Sequence, residues 1–219
     1  LGQTIYYVYD GLQYNLNGDN TATLTGHDGS TTTPTVLSSF TTNGILYTVV
    51  LSAYFLSGNQ VVTHVTVPSN FTTIPDHMFR HAPALKTVDL QGSNITIGEY
   101  AFSGSGLLES FNFDNIISLN GTYIFEYTSL QVVDLTNANI TDFYGMNFAR
   151  VNTLHTVIWS PNMNVIPAQA FKYANGLTSV TIPDNVTKIE SEAFRECAFS
   201  TIVLPPNLVE IGQGAFYQC

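Results

Sequence analysis

Along most of the chain the apolar residues return in one short phrase: apolar, two positions, apolar, one position, apolar, then a second apolar run and a closing Ala-Phe. LTSVTIPDNVTKIESEAF, residues 177–194, states it in full. Aligned on the last residue, the phrase recurs at Phe79, Phe102, Phe125, Phe148, Phe171, Phe194 and Phe216, with one constant interval that shortens by a single position at the last step. The opening apolar residue keeps step at Val62, Leu85, Leu108, Leu130, Leu154, Leu177 and Phe199. A fixed period of this size, about 23 residues, is the signature of stacked repeats.

Within a unit, alternation of period two predicts a short strand, as over Leu177 to Ile182, with Val180 and Ile182 inward and Ser179 and Thr181 outward. One unit cannot bury such a face alone. Stacking pairs each strand in parallel with its counterpart, while the second apolar run and the Ala-Phe pair close the coil behind it. The turns between the halves read Pro68-Ser69-Asn70, Pro183-Asp184-Asn185 and Pro205-Pro206-Asn207, with Ser160-Pro161-Asn162 as a shifted copy. Proline presets φ there, and asparagine is expected to take a left-handed conformation. Seven phenylalanines one rung apart are expected to form the hydrophobic spine.

Residues 1–60 break the period. IYYVYDGLQYNLNGDNTATLTG alternates apolar and polar residues around Asn-Gly and Gly-Asp turn signals, which predicts a β-hairpin or small meander. YTVVLSAYF, 47–55, resembles the second half of a repeat, with Val50 five residues before Phe55 as Ile189 is before Phe194. The expected organisation is an N-terminal β-hairpin cap with a partial repeat over 1–60, followed by about seven repeats over 61–219 in one continuous solenoid. A solenoid needs such a cap to cover its open edge. No matching cap follows the last Ala-Phe phrase, so either the last rung is exposed or the chain is a fragment of a longer protein, and the fragment is the expectation.

The 219 residues are 44% hydrophobic and 10% charged, enough to bury a core. With a net charge of -10 and six Lys plus Arg, binding to a phosphate backbone is excluded as a reading. ILYTVVLSAYFL, 45–56, is too short and interrupted for a transmembrane helix. Cys197 and Cys219 each lie three residues after their phenylalanine, which places them on neighbouring rungs roughly 5 Å apart at sheet spacing. That distance is compatible with a disulfide; the plainer reading is two buried free thiols acting as small apolar groups.

LTSVTIPDNVTKIESEAFRECAF and FSTIVLPPNLVEIGQGAFYQC resemble the BspA-like leucine-rich repeat family, whose units run L-x-x-I-x-I-P-x-x-V-x-x-I-x-x-x-A-F followed by a small residue and often Cys. The resemblance covers about residues 45–219. Unit 108–129 departs from it with Ile124 in place of Ala and no turn proline, and unit 130–153 has Asn147 at the same place. It implies a leucine-rich-repeat solenoid with a parallel β-sheet face and short strands or turns on the other side. It also implies a secreted or cell-surface protein of bacteria or parasitic protists that adheres to host matrix proteins or other cells. The family has no enzymatic residues to transfer, so neither catalysis nor a cofactor is expected.

His77 and His81 have the i, i+4 spacing of a helical metal pair, but no glutamate follows and no third ligand is in register, which leaves turn-surface histidines. No G-x-S-x-G, Gly-rich phosphate loop or Cys-x-x-Cys is present.

Stacked repeats turn sequence columns into a surface. One outward column reads His64, Thr87, Ser110, Val132, Thr156, Ser179, Thr201; the next reads Thr66, Asp89, Asn112, Asp134, Ile158, Thr181, Val203. The candidate ligand-binding face comprises Thr87, Asp89, Ser110, Asn112, Asp114, Asp134, Thr156 and Ile158. Its carboxylates suit a Ca²⁺ site, or else a solvated acidic stripe that maintains solubility. A glycosidase-type carboxylate pair has no other home in the chain. The expected partner is a protein or glycan on a host or neighbouring cell. A structural stalk, monomeric or weakly associating end to end, is the alternative.

Sequons occur at Asn70, Asn94, Asn120, Asn139 and Asn185. Roughly four are expected by chance in a chain so rich in Asn, Ser and Thr, so they carry little information.

Overall fold

The computed structural model describes residues 5–140, 143 and 145–219. Residues 1–4 of the expected cap, residues 141, 142 and 144 of the unit 130–153, and with them Thr141 of the Asn139 sequon, lie outside the described residues. The molecule is a β-solenoid of about eight turns, and the described residues contain no helix.

Five strands form the N-terminal sheet: β1 (Tyr6–Tyr9), β2 (Leu12–Leu16), β3 (Thr21–His27), β4 (Ser39–Thr42) and β5 (Ile45–Leu51), in the order β1-β2-β3-β5-β4. β1, β2 and β3 make an antiparallel meander. β5 then pairs parallel with β3 and antiparallel with β4, so this end is a sheet and not a hairpin alone. Tyr14 is fully buried beneath it, and its hydroxyl accepts the Leu37 N–H at 2.9 Å. Burial pushes the Tyr14 pKa up to about 12.

This sheet closes the first rung in two places. The segment around Pro34 lies along β6 (His64–Val67), with Thr66 N–H donating to Pro34 O and Val36 N–H to Thr66 O. Further on, the N–H groups of Tyr54, Leu56 and Gly58 donate to the carbonyls of Asp76, Met78 and Arg80. That second set corrects the register read from Phe55. Leu56, one full period before Phe79, occupies the spine position, and Val50 is 45% exposed while Leu51 packs against the core. β5 belongs to the N-terminal sheet, and its pairing with β3 and β4 decides which side faces inward.

The rungs carry two strand-bearing sides. On one, β6 pairs parallel with β8 (Thr87–Leu90), and β11 (Val132–Asp134) with β12 (Thr156–Ile158). On the other, β7 (Thr73–Ile74), β9 (Ile95–Gly98) and β10 (Ile116–Asn120) form one parallel sheet. β13 (Val165–Ile166), β14 (Lys188–Ile189) and β15 (Glu210–Ile211) form another. The strand expected over Leu177 to Ile182 does not form, although Ile182 is inward and Ser179 and Thr181 are outward as expected. Trp159 supplies the reason: its indole N–H donates to the Thr181 carbonyl at 2.8 Å, taking an acceptor that a ladder would use. In unit 108–129 the inward Phe111 and Phe113 meet Phe125 edge-on, and residues 108–113 form no ladder.

Inside, the spine is continuous. Phe79, Phe102, Phe125, Phe148, Phe171, Phe194 and Phe216 stack with centroids 5.2, 5.2, 5.5, 5.2, 6.2 and 5.7 Å apart. Along it, N–H groups donate one rung up, as from Phe79 to Ala101 and from Phe171 to Ala193. At the irregular rung Asn147 is fully buried; its Oδ1 accepts the Ile124 N–H, so the polar residue in an alanine position is satisfied.

The turn asparagines do not take left-handed conformations. Asn185 Nδ2 donates instead to Met163 O at 2.8 Å, and Asn207 Nδ2 to Asp184 O at 2.9 Å, so each side chain ties its rung to the one before. Left-handed backbone occurs elsewhere, two residues before and two residues after the spine position. Tyr54, His77, Tyr100, Tyr123, Met146, Gln169 and Glu192 hold the first place, and His81, Tyr127, Arg150, Tyr173 and Glu196 the second.

Candidate functional site

On the strand face the pairing register places Thr87 beside His64, Asp89 beside Thr66, Thr156 beside Val132 and Ile158 beside Asp134. His64 Nδ1 is hydrogen-bonded to Thr87 Oγ1. Ser110 and Asn112 lie between these two ladders on the unpaired segment, with Asp114 just beyond. Seven of the eight candidate residues are exposed and Thr156 is half-buried.

Part of this polarity is already engaged locally. Asn112 Oδ1 accepts the Asp114 N–H at 2.9 Å. Asp134 Oδ1 accepts the N–H and the hydroxyl of Thr136, which holds its carboxyl below the usual carboxylate range. Asp89 and Asn112 border a crevice of about 40 Å³, room for a water molecule rather than a ligand. Among the described residues no three His, Cys, Asp or Glu side chains come together to hold a metal ion. The face is an open, polar surface suited to contact by area rather than to engulfing a small molecule.

The histidine pair sits on a turn. His77 stacks between Tyr54 and Tyr100 at 4.4 and 5.2 Å, and His81 is exposed one left-handed position further on. The cysteines are both free. Cys197 Sγ donates to Phe171 O at 3.3 Å, the place where Ser105 Oγ donates to Phe79 O at 2.7 Å, and Cys219 Sγ donates to Phe194 O. The thiol therefore does a hydroxyl's work between rungs. Burial raises the Cys197 pKa far above the ordinary thiol value, which leaves it a poor nucleophile.

A second surface was not legible in the sequence: the ridge formed by the turns around the spine. Tyr54, His77, Tyr100 and Tyr123 stack along it. All three arginines of the chain lie on it, Arg80 over Tyr100 at 4.5 Å, Arg150 between Tyr127 and Tyr173, and Arg195 over Tyr217 at 4.9 Å. Tyrosine and arginine one and two places from each phenylalanine were the available signal, but it became readable only once both columns were known to point outward.

Glu126 anchors the ridge from below. It is nearly buried, accepts from Arg150 Nη1 at 2.9 Å and faces Ser103 Oγ at 3.5 Å. Burial raises its pKa above the usual carboxylate value, against the lowering pull of Arg150. A carboxyl whose pKa is raised in the folded state binds more protons folded than unfolded, so its contribution to stability falls as pH rises from the unfolded value through the folded one. The stability of Glu126→Gln relative to the parent should therefore improve as pH increases across that interval. Thermal melts of both proteins from acidic to neutral pH will test this; a constant difference would mean the carboxyl titrates normally.

A coil of parallel rungs with one constant period, closed on an apolar interior, is a leucine-rich-repeat solenoid. The chain belongs to the BspA type leucine rich repeat family, whose model matches residues 50–177 and 164–219 in six copies. Among solved structures it is similar to a leucine rich cell surface protein from Faecalibacterium prausnitzii, with 26% identity and a TM-score of 0.55 over 100% of this chain and 53% of that one. A leucine-rich repeat protein from Bacteroides ovatus shares the fold at 20% identity, TM-score 0.74, over 97% of this chain and 62% of that one. The leucine rich repeat protein of T. pallidum does so at 21% identity, TM-score 0.57, over 97% and 88%. The chain thus spans between half and two thirds of the first two proteins. No curated protein matches the sequence.

Proposed function

We propose that this chain is the binding module of a cell-surface or secreted protein, and that it adheres to a protein or glycan of a host or neighbouring cell through its strand face. The observation that carries the reading is the ladder register. It sets Thr87 and Asp89 on one rung, and Thr156 and Ile158 beside Val132 and Asp134 on others, giving exposed columns of hydroxyl, carboxylate and apolar groups. Solenoids recognise partners through such extended faces. The likeness to a cell surface protein at 26% identity supports the setting.

The test is binding of the purified, monodisperse protein to immobilised matrix proteins and glycans, with and without calcium. Its partner experiment uses a variant changed at Thr87, Asp89, Asn112, Asp134 and Ile158. Saturable binding to the parent, lost in the variant, is the expected result. Binding that survives all five changes would remove the strand face from the reading. Self-association without any ligand would favour a structural stalk over a binding module.

A further inference from the structure

We propose that a groove on the turn ridge, lined by Tyr127, Arg150, Asn152, Tyr173, Asn175 and Glu196, is a binding site for a neutral saccharide. It is separate from the strand face and has a volume of about 400 Å³.

Two adjacent columns build it. Tyr127, Arg150, Tyr173 and Glu196 stand one period apart on successive rungs, all with left-handed backbone at φ 57°, 56°, 64° and 59°. That conformation is costly for side chains of this size and is usually left to glycine or asparagine. The guanidinium of Arg150 lies 5.6 Å from the Tyr127 ring and 5.0 Å from the Tyr173 ring, while Glu126 takes one of its N–H groups from beneath. Its direction is therefore set before any ligand arrives. Beside it, Asn152 and Asn175 are exposed, and their carboxamides make no hydrogen bond to another described residue.

The charge and chemistry of the groove select the ligand class. Arg150 is offset by Glu126, Glu196 by Arg195 at 3.7 Å and the neighbouring Lys172 by Glu192 at 2.6 Å, so the groove offers an anion no uncompensated cation, and the chain's overall charge of -10 disfavours one further. The place a cation would take between the two rings already holds Arg150. Every lining side chain carries a polar group, which gives an apolar ligand little to bury against. What the groove does offer is donors from Arg150 and the two amides, acceptors from the amides and Glu196, and phenol hydroxyls that serve as both. Neighbouring hydroxyls of a sugar need this mixture on planar side chains, and tyrosine rings accept the apolar C–H side of a sugar ring.

Saturation-transfer NMR with maltotriose, cellotriose and lactose at millimolar concentration, with glucuronate as the charged comparison, tests the site on the intact chain. We expect transfer to at least one of the neutral sugars, weakened about tenfold or more in Asn152→Ala/Asn175→Ala. Those amides are exposed, so loss of folding should not confound the result, and circular dichroism will verify it. Arg150→Lys, which keeps the charge but not the planar fork, should also weaken binding. Asp89→Ala/Asp134→Ala on the strand face should leave it unchanged, so failure of this site and failure of the strand-face reading are distinguishable. No transfer to any neutral sugar, transfer that persists in the double asparagine variant, or transfer to glucuronate alone would each overturn the proposal.

Discussion

Replacing Phe171 with alanine is expected to destabilise the protein by about 3 to 5 kcal/mol, the range for removing a buried aromatic side chain. Phe171 is fully buried and stacks between Phe148 at 5.2 Å and Phe194 at 6.2 Å. Phe143 and Trp159 meet it edge-on at 6.3 and 5.4 Å. Deleting the ring therefore removes contacts on two adjoining rungs and on both flanks, and little can move in to fill the gap. Because each rung of a repeat protein is stabilised mainly by its neighbours, the loss should also lower the cooperativity of denaturant unfolding. Asp134→Ala, at an exposed site whose contacts are all local, should change stability by less than about 1 kcal/mol. Equal effects in urea titrations of the two variants would contradict the inward and outward assignment on which both surfaces rest.

A comparable loss is expected from the smallest possible change at Gly176. A Cβ built there overlaps the carbonyl of Asn152 on the preceding rung, main chain that cannot rotate away. Val151 and Leu154, on either side of that carbonyl, are fully buried, so it cannot shift without disturbing the core. Gly176→Ala must separate or shear two rungs, at a cost of about 3 kcal/mol. Gly106 provides the comparison, since a Cβ there meets nothing within 4 Å. Gly106→Ala should be neutral or slightly stabilising, through the lower entropy of the unfolded chain. Calorimetric melts of the two alanine variants settle the matter: similar Tm values would mean the rungs are not in close backbone contact at Gly176.

Much of the solenoid was legible because stacking repeats one chemical requirement every rung. A ring at Phe171 must meet rings at Phe148 and Phe194, so the period alone locates the spine. The pairing of Asp89 with Thr66, and of Ile158 with Asp134, followed from the same period. Where a single side chain alters its neighbourhood, the period is silent. Trp159 diverts the Thr181 carbonyl, Phe111 and Phe113 crowd unit 108–129, and the pairing of β5 makes Leu56 rather than Phe55 the start of the spine. The ridge was less legible still, because left-handed backbone at Tyr100, Tyr127 or Arg150 runs against local preference. Only the ring stacking and rung-to-rung hydrogen bonds of the assembled coil offset that cost.

By itself, then, the sequence determined the length of the repeat, the buried column and the outward columns, since these depend on periodicity and hydrophobicity, which are written one residue at a time. The tertiary structure alone decided which runs pair as strands, how asparagine and cysteine tie one rung to another, and that Tyr127, Arg150 and Tyr173 share a groove. Those outcomes depend on contacts between residues a whole rung apart in the chain, and such contacts exist only once the rungs are stacked.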